Sequence, residues 1–337
     1  MTTAQFVARR AVTAALVLLA ISVLCFTLLD LAPGDPARAV LEARSGGLPA
    51  SVAEVADQRA LMGLDDPLAQ RYLRWAGGAA TGDLGASSIT GRPVTAELAD
   101  TVPWTVLLTV VATVFSVLGA VAVGLVAGLT KRRWLRRGIE LAMFVLGGMP
   151  GFVTALLLLY LGAARWQLLP SGGVGRPGED VTVAVVAAHL VLPAAALAFG
   201  HHFGSYVRLI QTGITGVRAA PHVDNARARG LGAWTILRRH VLGPALVPFA
   251  TRLGVGTGAL LAGAYAIEVI FSWPGMGRLA IAAAKAQDYP VLTAVVLVTA
   301  AFVIAANLLG ELAVSRLDPR VRLPGDTRRG PVVVGDH

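Results

Sequence analysis

The sequence contains little cysteine and little charge. Its single cysteine, Cys25, excludes a fold held together by disulfides within the chain, and it lies in an apolar run where a thiol behaves as a small hydrophobic side chain. Only 15% of the 337 residues are charged, whereas 55% are hydrophobic and the mean hydropathy is +0.67. Water cannot solvate a folded chain of this composition, so we predict an integral membrane protein.

Sequence motifs for nucleotide chemistry and for hydrolysis are also absent. The lysines are Lys131 and Lys285, and neither follows a glycine-rich loop of the kind that holds the phosphates of ATP. The histidines form no His-Glu-x-x-His pattern, and no serine has the glycine neighbours of a nucleophile elbow. We therefore expect this chain to be no enzyme, with no catalytic residue, cofactor site or metal site of its own.

Six apolar stretches are long enough to cross a bilayer. A hydrocarbon core of about 30 Å requires about 20 apolar helical residues, because unpaired backbone groups in lipid cost several kcal/mol each. The stretches are Ala11–Leu31, Val102–Thr130, Ile139–Ala164, Val181–Val207, Val241–Ile270 and Val291–Val314. The sequence thus predicts an all-α membrane protein with six transmembrane helices, the first of them a retained span rather than a signal peptide.

The basic residues predict the orientation of these spans. Most of the 29 lysines and arginines lie in short clusters beside apolar stretches, such as Lys131–Arg137, where positive charge keeps a loop in the cytoplasm. Charge of this kind orients helices in a bilayer and does not indicate nucleic-acid binding. We therefore expect both termini to be cytoplasmic.

The same pattern divides the chain into parts. We expect a cytoplasmic N-terminus and first span over residues 1–31, an external loop over 32–101, a transmembrane domain over 102–316 with a cytoplasmic loop at 217–239, and a cytoplasmic tail over 317–337. Within the external loop, Pro49–Met62 and Pro67–Trp75 predict short helices between glycine- and proline-rich turns.

Ionisable residues inside the predicted spans are candidates for a polar path, because a charge in lipid needs a partner or water. These residues are Glu140, His189, His201, His202, Arg252, Glu268 and Glu311. The three glutamates lie near span ends, where a carboxylate can instead reach the interface. Arg252 either lines a path or stabilises neighbouring helices, and only one of the adjacent His201 and His202 can face a given path.

The cytoplasmic segment Val217–Arg239 is too long for a tight turn and predicts one or two short surface helices. Asp224 is a suitable N-terminal cap, helix-forming residues follow it, and Gly230 is a normal stop signal. On composition alone, an ordinary basic cytoplasmic loop is the favoured interpretation.

This segment nevertheless resembles the cytoplasmic signature of ABC importer permeases, in which Glu-Ala-Ala is followed by three residues and a glycine. Asp224, Asn225 and Ala226 stand in the first three places, so two of these residues depart from the signature, and Gly230 has the expected spacing. Further stretches resemble the peptide and nickel branch of this family in order along nearly the whole chain. They are Leu31–Ala37, Gly82–Gly85, Gly91–Val94, Asn225–Gly232, Leu237–His240, Phe271–Arg278, Asp288–Pro290 and Leu317–Arg320.

The resemblance implies a type I importer permease fold and the first of two permease subunits in a dipeptide, oligopeptide or nickel importer of a bacterial inner membrane. It also implies three kinds of partner: a second permease, one or two ATPase subunits that bind ATP and Mg²⁺, and an external substrate-binding protein. It assigns ATPase coupling to Asp224, Asn225, Ala226, Ala228, Arg229, Gly230 and Leu231, and an external motif to Trp273, Pro274 and Gly275. Together with the ionisable residues, it makes His201, His202, Arg252 and Glu268 candidates for the translocation path.

Alternatives stay open at this point. Peptide and nickel permeases share these motifs, so we prefer peptide as the substrate and keep nickel or a metal chelate as the second possibility. A secondary transporter driven by an ion gradient would show a conspicuous intramembrane carboxylate or inverted repeats, and no repeat is evident. A structural membrane protein is the third class. Both of these classes predict that the chain purifies without an ATPase and a binding protein.

Overall fold

The computed structural model describes residues 3–175, 178, 180–200 and 202–317, and its regular secondary structure is helical apart from one isolated bridge between Ala86 and Pro93. The helices are α1 (Thr3–Asp30), α2 (Pro36–Arg44), α3 (Val52–Leu61), α4 (Leu68–Ala80), α5 (Val94–Leu129), α6 (Arg133–Gly148), α7 (Gly151–Leu158), α8 (Val183–Phe199), α9 (Phe203–Arg218), α10 (Pro221–Ala228), α11 (Ala233–Ile236), α12 (Leu242–Ile270), α13 (Met276–Lys285) and α14 (Tyr289–Leu317). Two π-helical turns, Leu159–Arg165 and Leu237–Val241, continue α7 and lead into α12. The predicted all-α class is confirmed for these residues.

In the described part of the chain, three helices are long and apolar enough to cross a membrane without a break. They are Ala8–Asp30 within α1, Val94–Leu129 in α5 and Tyr289–Gly310 within α14. These helices confirm the first, second and sixth predicted spans. The helix α5 begins at Val94, two turns before the predicted Val102. The prediction followed the apolar residues and so left out these two turns, which are helical but polar.

The other three predicted spans are bent helix pairs. Arg133–Gly148 meets Gly151–Arg165 at 109°, Val183–Phe199 meets Phe203–Arg218 at 62°, and Ala233–Leu253 meets Gly258–Ile270 at 59°. The chain therefore has six spans if each bent pair crosses the membrane once. The helix of the span predicted over Ile139–Ala164 is broken, because Pro150 has no backbone N–H and forces Met149 into an extended conformation, with ψ 133°.

Small residues on α5 allow close packing against α9. A Cβ atom at Gly124 would lie 2.7 Å from the Cβ of Ile210, and one at Gly128 would lie 3.0 Å from the Cβ of Ile214. Both isoleucines belong to α9, so the two glycines let the backbones of α5 and α9 approach each other. This is the usual role of small residues between membrane helices.

The predicted external loop folds against α1. The expected short helices are present as α3 and α4. The hydroxyl groups of Tyr72 on α4 and Ser22 on α1 are 2.9 Å apart, and Phe26 packs its ring 5.0 Å from that of Trp75. Arg71 forms an ion pair of 2.8 Å with Asp30 at the end of α1. These contacts place α4 along the last turns of α1.

Candidate coupling segment and translocation region

The predicted coupling segment forms the short helix α10, which ends at a glycine. Gly230 has φ +77°, a left-handed conformation that favours glycine. The N–H of Gly230 donates to the carbonyl of Arg227 at 2.9 Å, and the N–H of Leu231 donates to the carbonyl of Ala226 at 3.3 Å. This bond pair is a Schellman motif, so the predicted stop signal at Gly230 is confirmed.

The start of α10 differs from the prediction. The helix begins at Pro221, with Ala220 at the N-cap, so Asp224 lies in its first turn and does not cap it. Proline is favoured at the first helical position because its missing N–H would have no partner there. Asp224 instead accepts a hydrogen bond of 2.7 Å from Arg227, one turn further along the exposed side.

The two sides of α10 have different surroundings. Val223 and Ala226 are buried in an apolar cluster that also contains Ile214 of α9 and Val241 before α12. The other predicted coupling residues, Asp224, Asn225, Ala228, Arg229, Gly230 and Leu231, are exposed. The segment therefore leaves one face exposed and attaches the opposite face to the ends of two membrane helices.

The three bent helix pairs meet in one region. A Cβ atom at Gly200, where α8 ends, would lie 3.0 Å from the Cα of Gly151, where α7 begins. A Cβ atom at Gly256, in the bend of α12, would lie 3.6 Å from Cδ2 of His202 and would also meet the hydroxyl of Tyr206. Broken helices leave backbone groups that need protein or water partners, so this region is suited to line a polar path.

Polar side chains lie at this junction of bends. Tyr206 is 1% exposed, and its buried hydroxyl has no hydrogen-bond partner among the described residues. The rings of His202 and Tyr206 are 6.0 Å apart. Arg252 is exposed and lies one helical turn before Gly256, at which an added Cβ would meet the Tyr206 hydroxyl. The structure thus brings together two of the predicted path residues, whereas His201 lies outside the described residues.

Glu268 lies near the end of α12, away from the bend at Gly256, and its side chain is fully buried, 0% exposed. Its carboxylate accepts hydrogen bonds of 2.6 Å from the Thr105 hydroxyl on α5 and of 2.6 Å from the N–H of Gly277 on α13. The Thr105 oxygen in turn accepts from the N–H of Met276 at 2.8 Å. The expectation that Glu268 can reach the membrane interface is wrong in this structure, because three helices enclose its carboxylate.

The external motif is built around this carboxylate. Trp273 is 0% exposed and donates from Nε1 to the carbonyl of Trp104 at 3.0 Å, with the two indole rings packed edge to face. Gly275 follows Pro274 and packs against the Glu268 carboxylate so closely that a Cβ atom would overlap it. The motif therefore anchors the turn between α12 and α13 to α5.

Two of the remaining ionisable residues, Glu140 and His189, have partners within the protein. Glu140 accepts a hydrogen bond of 2.7 Å from Gln211, and His189, which is 5% exposed, has its Nδ1 2.8 Å from the carbonyl of Val185. The side chain of Glu311 lies outside the described residues. No group of three or more His, Cys, Asp or Glu side chains that could hold a metal ion occurs within the described part of the chain.

Two residues at these sites were not predicted. Each shares its helix with other polar residues, such as Thr109 on α5 and Gln211 on α9, so no contrast with the surrounding sequence singled out Thr105 or Tyr206. A threonine can satisfy its hydroxyl on its own helix, and a tyrosine can reach the interface, so neither residue type indicates a tertiary contact by itself.

Apolar spans, three of them bent, joined by exposed helical segments define the class of polytopic membrane proteins. The models of two families match the chain: "Binding-protein-dependent transport system inner membrane component" over residues 120–323, and the N-terminal part of the corresponding membrane component over residues 3–109. The chain belongs to this family of inner-membrane permease subunits of binding-protein-dependent ABC importers.

Individual proteins support this assignment. A Brucella suis protein named as a peptide permease is 34% identical to this chain over 91% of this chain and 95% of its own length. The dipeptide transport system permease DppB of Alkalihalophilus pseudofirmus is 31% identical over 91% of this chain and 96% of its own length. A solved chain of the methionine ABC transporter MetNI, in an inward-facing conformation, has a TM-score of 0.54 and 15% identity over 66% of this chain and 96% of its own, which shows a shared fold.

Proposed function

We propose that this chain is a translocation subunit of an ATP-driven importer of di- or oligopeptides. The observation that carries the substrate class is the similarity over nearly the full chain to relatives named as peptide and dipeptide permeases. In this proposal the chain forms the pathway together with a second permease. One or two ATPase subunits bind ATP and Mg²⁺, and an external binding protein delivers the peptide.

The coupling residues Asp224, Asn225, Ala226, Ala228, Arg229, Gly230 and Leu231 transmit the motion of the ATPase. The exposed side chains of Asp224, Asn225, Ala228 and Arg229 contact the ATPase. Val223 and Ala226 pack against the ends of α9 and α12. A displacement of α10 therefore moves the two helices whose bends meet near Gly256. The nucleotide state biases the inward- and outward-open forms only to the extent that the ATPase binds them with different affinity.

The orientation follows from the position of the basic residues. The coupling segment, both termini and the cluster Lys131–Arg137 face the cytoplasm, and residues 32–101 and the Trp273–Gly275 turn face outward. In this orientation the external loop and the anchored turn lie on the side from which the binding protein delivers its cargo.

Reconstitution tests the proposed function. The chain, its second permease, the ATPases and the binding protein are placed in liposomes, and uptake of a labelled dipeptide and of ⁶³Ni²⁺ is measured with ATP and with ADP. We expect uptake of the dipeptide that requires both ATP and the binding protein. Uptake driven by an ion gradient without ATP would contradict the proposal, and uptake of nickel alone would replace the substrate class.

A further inference from the structure

A cavity of about 430 Å³ lies behind the coupling segment, where three membrane-spanning elements end. Its walls include Leu129, the last residue of α5, Arg218, the last residue of α9, and Val241, which precedes α12. Leu231 and Ile236 close the cavity from the side of the coupling segment. The cavity thus lies between the coupling segment and the ends of the helices that the segment moves.

The charges on its walls are of one sign. Arg218 and Arg227 line the cavity, and none of the other described lining residues is acidic or basic. The hydrogen bond from Nη1 of Arg218 to the carbonyl of Gly128 is long, at 3.4 Å. Arg227 pairs with Asp224 at 2.7 Å, but both side chains are about half exposed or more, and an ion pair on the surface is weak. Both guanidinium groups therefore retain donors for an anion, and arginine stays charged at any physiological pH.

The rest of the lining is apolar. Leu129, Leu231, Ile236 and Val241 are among the residues that form it. A small hydrated anion would contact the two arginines and leave this apolar wall in water. An anion that carries hydrocarbon would cover the wall and neutralise the arginines together, which removes apolar surface from water as well.

We propose that this cavity binds the phosphate head group of an anionic phospholipid of the cytoplasmic leaflet. Arg218 and Arg227 contact the phosphate oxygens, for which the guanidinium fork is well matched, and the apolar wall contacts the glycerol and the first methylene groups. The proposal rests on the cytoplasmic orientation of the coupling segment given above and is independent of the transported substrate.

A lipid bound in this position supports the coupling segment. It fills the space between α10 and the ends of α5 and α9. A movement of α10 is therefore transmitted to those two helices through the bound lipid. Without the lipid, α10 is attached through the apolar contacts of Val223 and Ala226 and through a long contact of 3.4 Å between Nε2 of His222 and the carbonyl of His240. Anionic lipid is therefore expected to increase the ATPase activity that the binding protein stimulates, with less effect on the basal activity.

Photocrosslinking on the assembled complex tests the site. The complex is placed in nanodiscs that contain a photoactivatable phosphatidylglycerol or a photoactivatable phosphatidylcholine, and labelled peptides are located by mass spectrometry. We expect phosphatidylglycerol to label the segment from Leu231 to Val241. Arg218→Gln and Arg227→Gln should each reduce this labelling about fivefold, since each removes one cation beside the head group.

The control is Arg133→Gln, which removes an exposed arginine from the start of α6 outside the cavity and should leave the labelling unchanged. If the complex with Arg218→Gln does not assemble, Arg227→Gln provides the test, because the Arg227 side chain is on the surface.

Equal labelling by phosphatidylcholine, or equal labelling in all variants, would overturn the proposal. Loss of labelling on addition of inorganic phosphate would assign the cavity to a free anion, and labelling seen only after removal of the ATPase would show that the ATPase covers it.

Discussion

Thr105 and Glu268, which are 163 positions apart in the sequence, are joined by a hydrogen bond of 2.6 Å inside the bundle. The hydroxyl donates to the carboxylate and at the same time accepts from the N–H of Met276. One threonine on α5 therefore connects the end of α12 to the start of α13. This contact holds the turn between α12 and α13, which contains Trp273, in place.

The first prediction concerns this anchor. Thr105→Val keeps the size of the side chain but leaves the N–H of Met276 without its acceptor and the carboxylate with one donor fewer. A buried polar group without its partner costs about 1–3 kcal/mol, so thermal unfolding of the purified complex should occur at a lower temperature. The matched control is Thr109→Val, because the Thr109 hydroxyl donates to the carbonyl of Thr105 on the same helix and has no other hydrogen bond among the described residues. Equal destabilisation by both variants would contradict the anchor.

The second prediction concerns the end of the coupling helix. Gly230→Val places a β-branched residue in a left-handed conformation, which costs roughly 1–2 kcal/mol and shifts the exposed end of α10. We expect uptake by the complex to fall while membrane insertion is retained. Gly232→Val is the control, because Gly232 has φ −63° and an added Cβ meets no atom within 4 Å. The coupling assignment fails if the Gly230 variant transports as well as the Gly232 variant.

The third prediction concerns Arg252 at the junction of bends. If Arg252 binds the carboxylate of a passing peptide, Arg252→Ala removes a charged hydrogen bond and should lower peptide uptake about tenfold per assembled complex. Arg252→Lys keeps the charge and should retain part of the uptake. If the residue instead stabilises helix packing, the alanine variant loses yield or melts at a lower temperature. Full uptake with full assembly would show that Arg252 has neither role.

The fourth prediction concerns topology. In a Cys25→Ala background, Asp57→Cys should react with a membrane-impermeant maleimide in intact cells, and Trp134→Cys should react only after the membrane is opened. Both side chains are exposed, so access to the reagent depends on the side of the membrane. The reverse labelling pattern would overturn the assigned orientation and, with it, the cytoplasmic location of the lipid site.

The sequence by itself determined the features that depend on local composition. Runs of apolar residues were enough to place α1, α5 and α14, because a helix in lipid must satisfy its backbone groups internally. Gly230 was identified as the end of the helix in the coupling segment. The residue that follows a helix is often left-handed, and this conformation favours glycine whatever the tertiary structure. The family resemblance also followed from short motifs whose order along the chain is visible without a structure.

Only the tertiary structure decided which polar residues meet. Glu268 was expected near an interface or a path, and it became a buried anchor because Thr105 and the N–H of Gly277 surround it. The bends of the three helix pairs converge because Gly200 and Gly256 allow close contact with Gly151 and Tyr206. Composition and periodicity do not predict such contacts, because these contacts join residues of different helices and depend on how the helices pack.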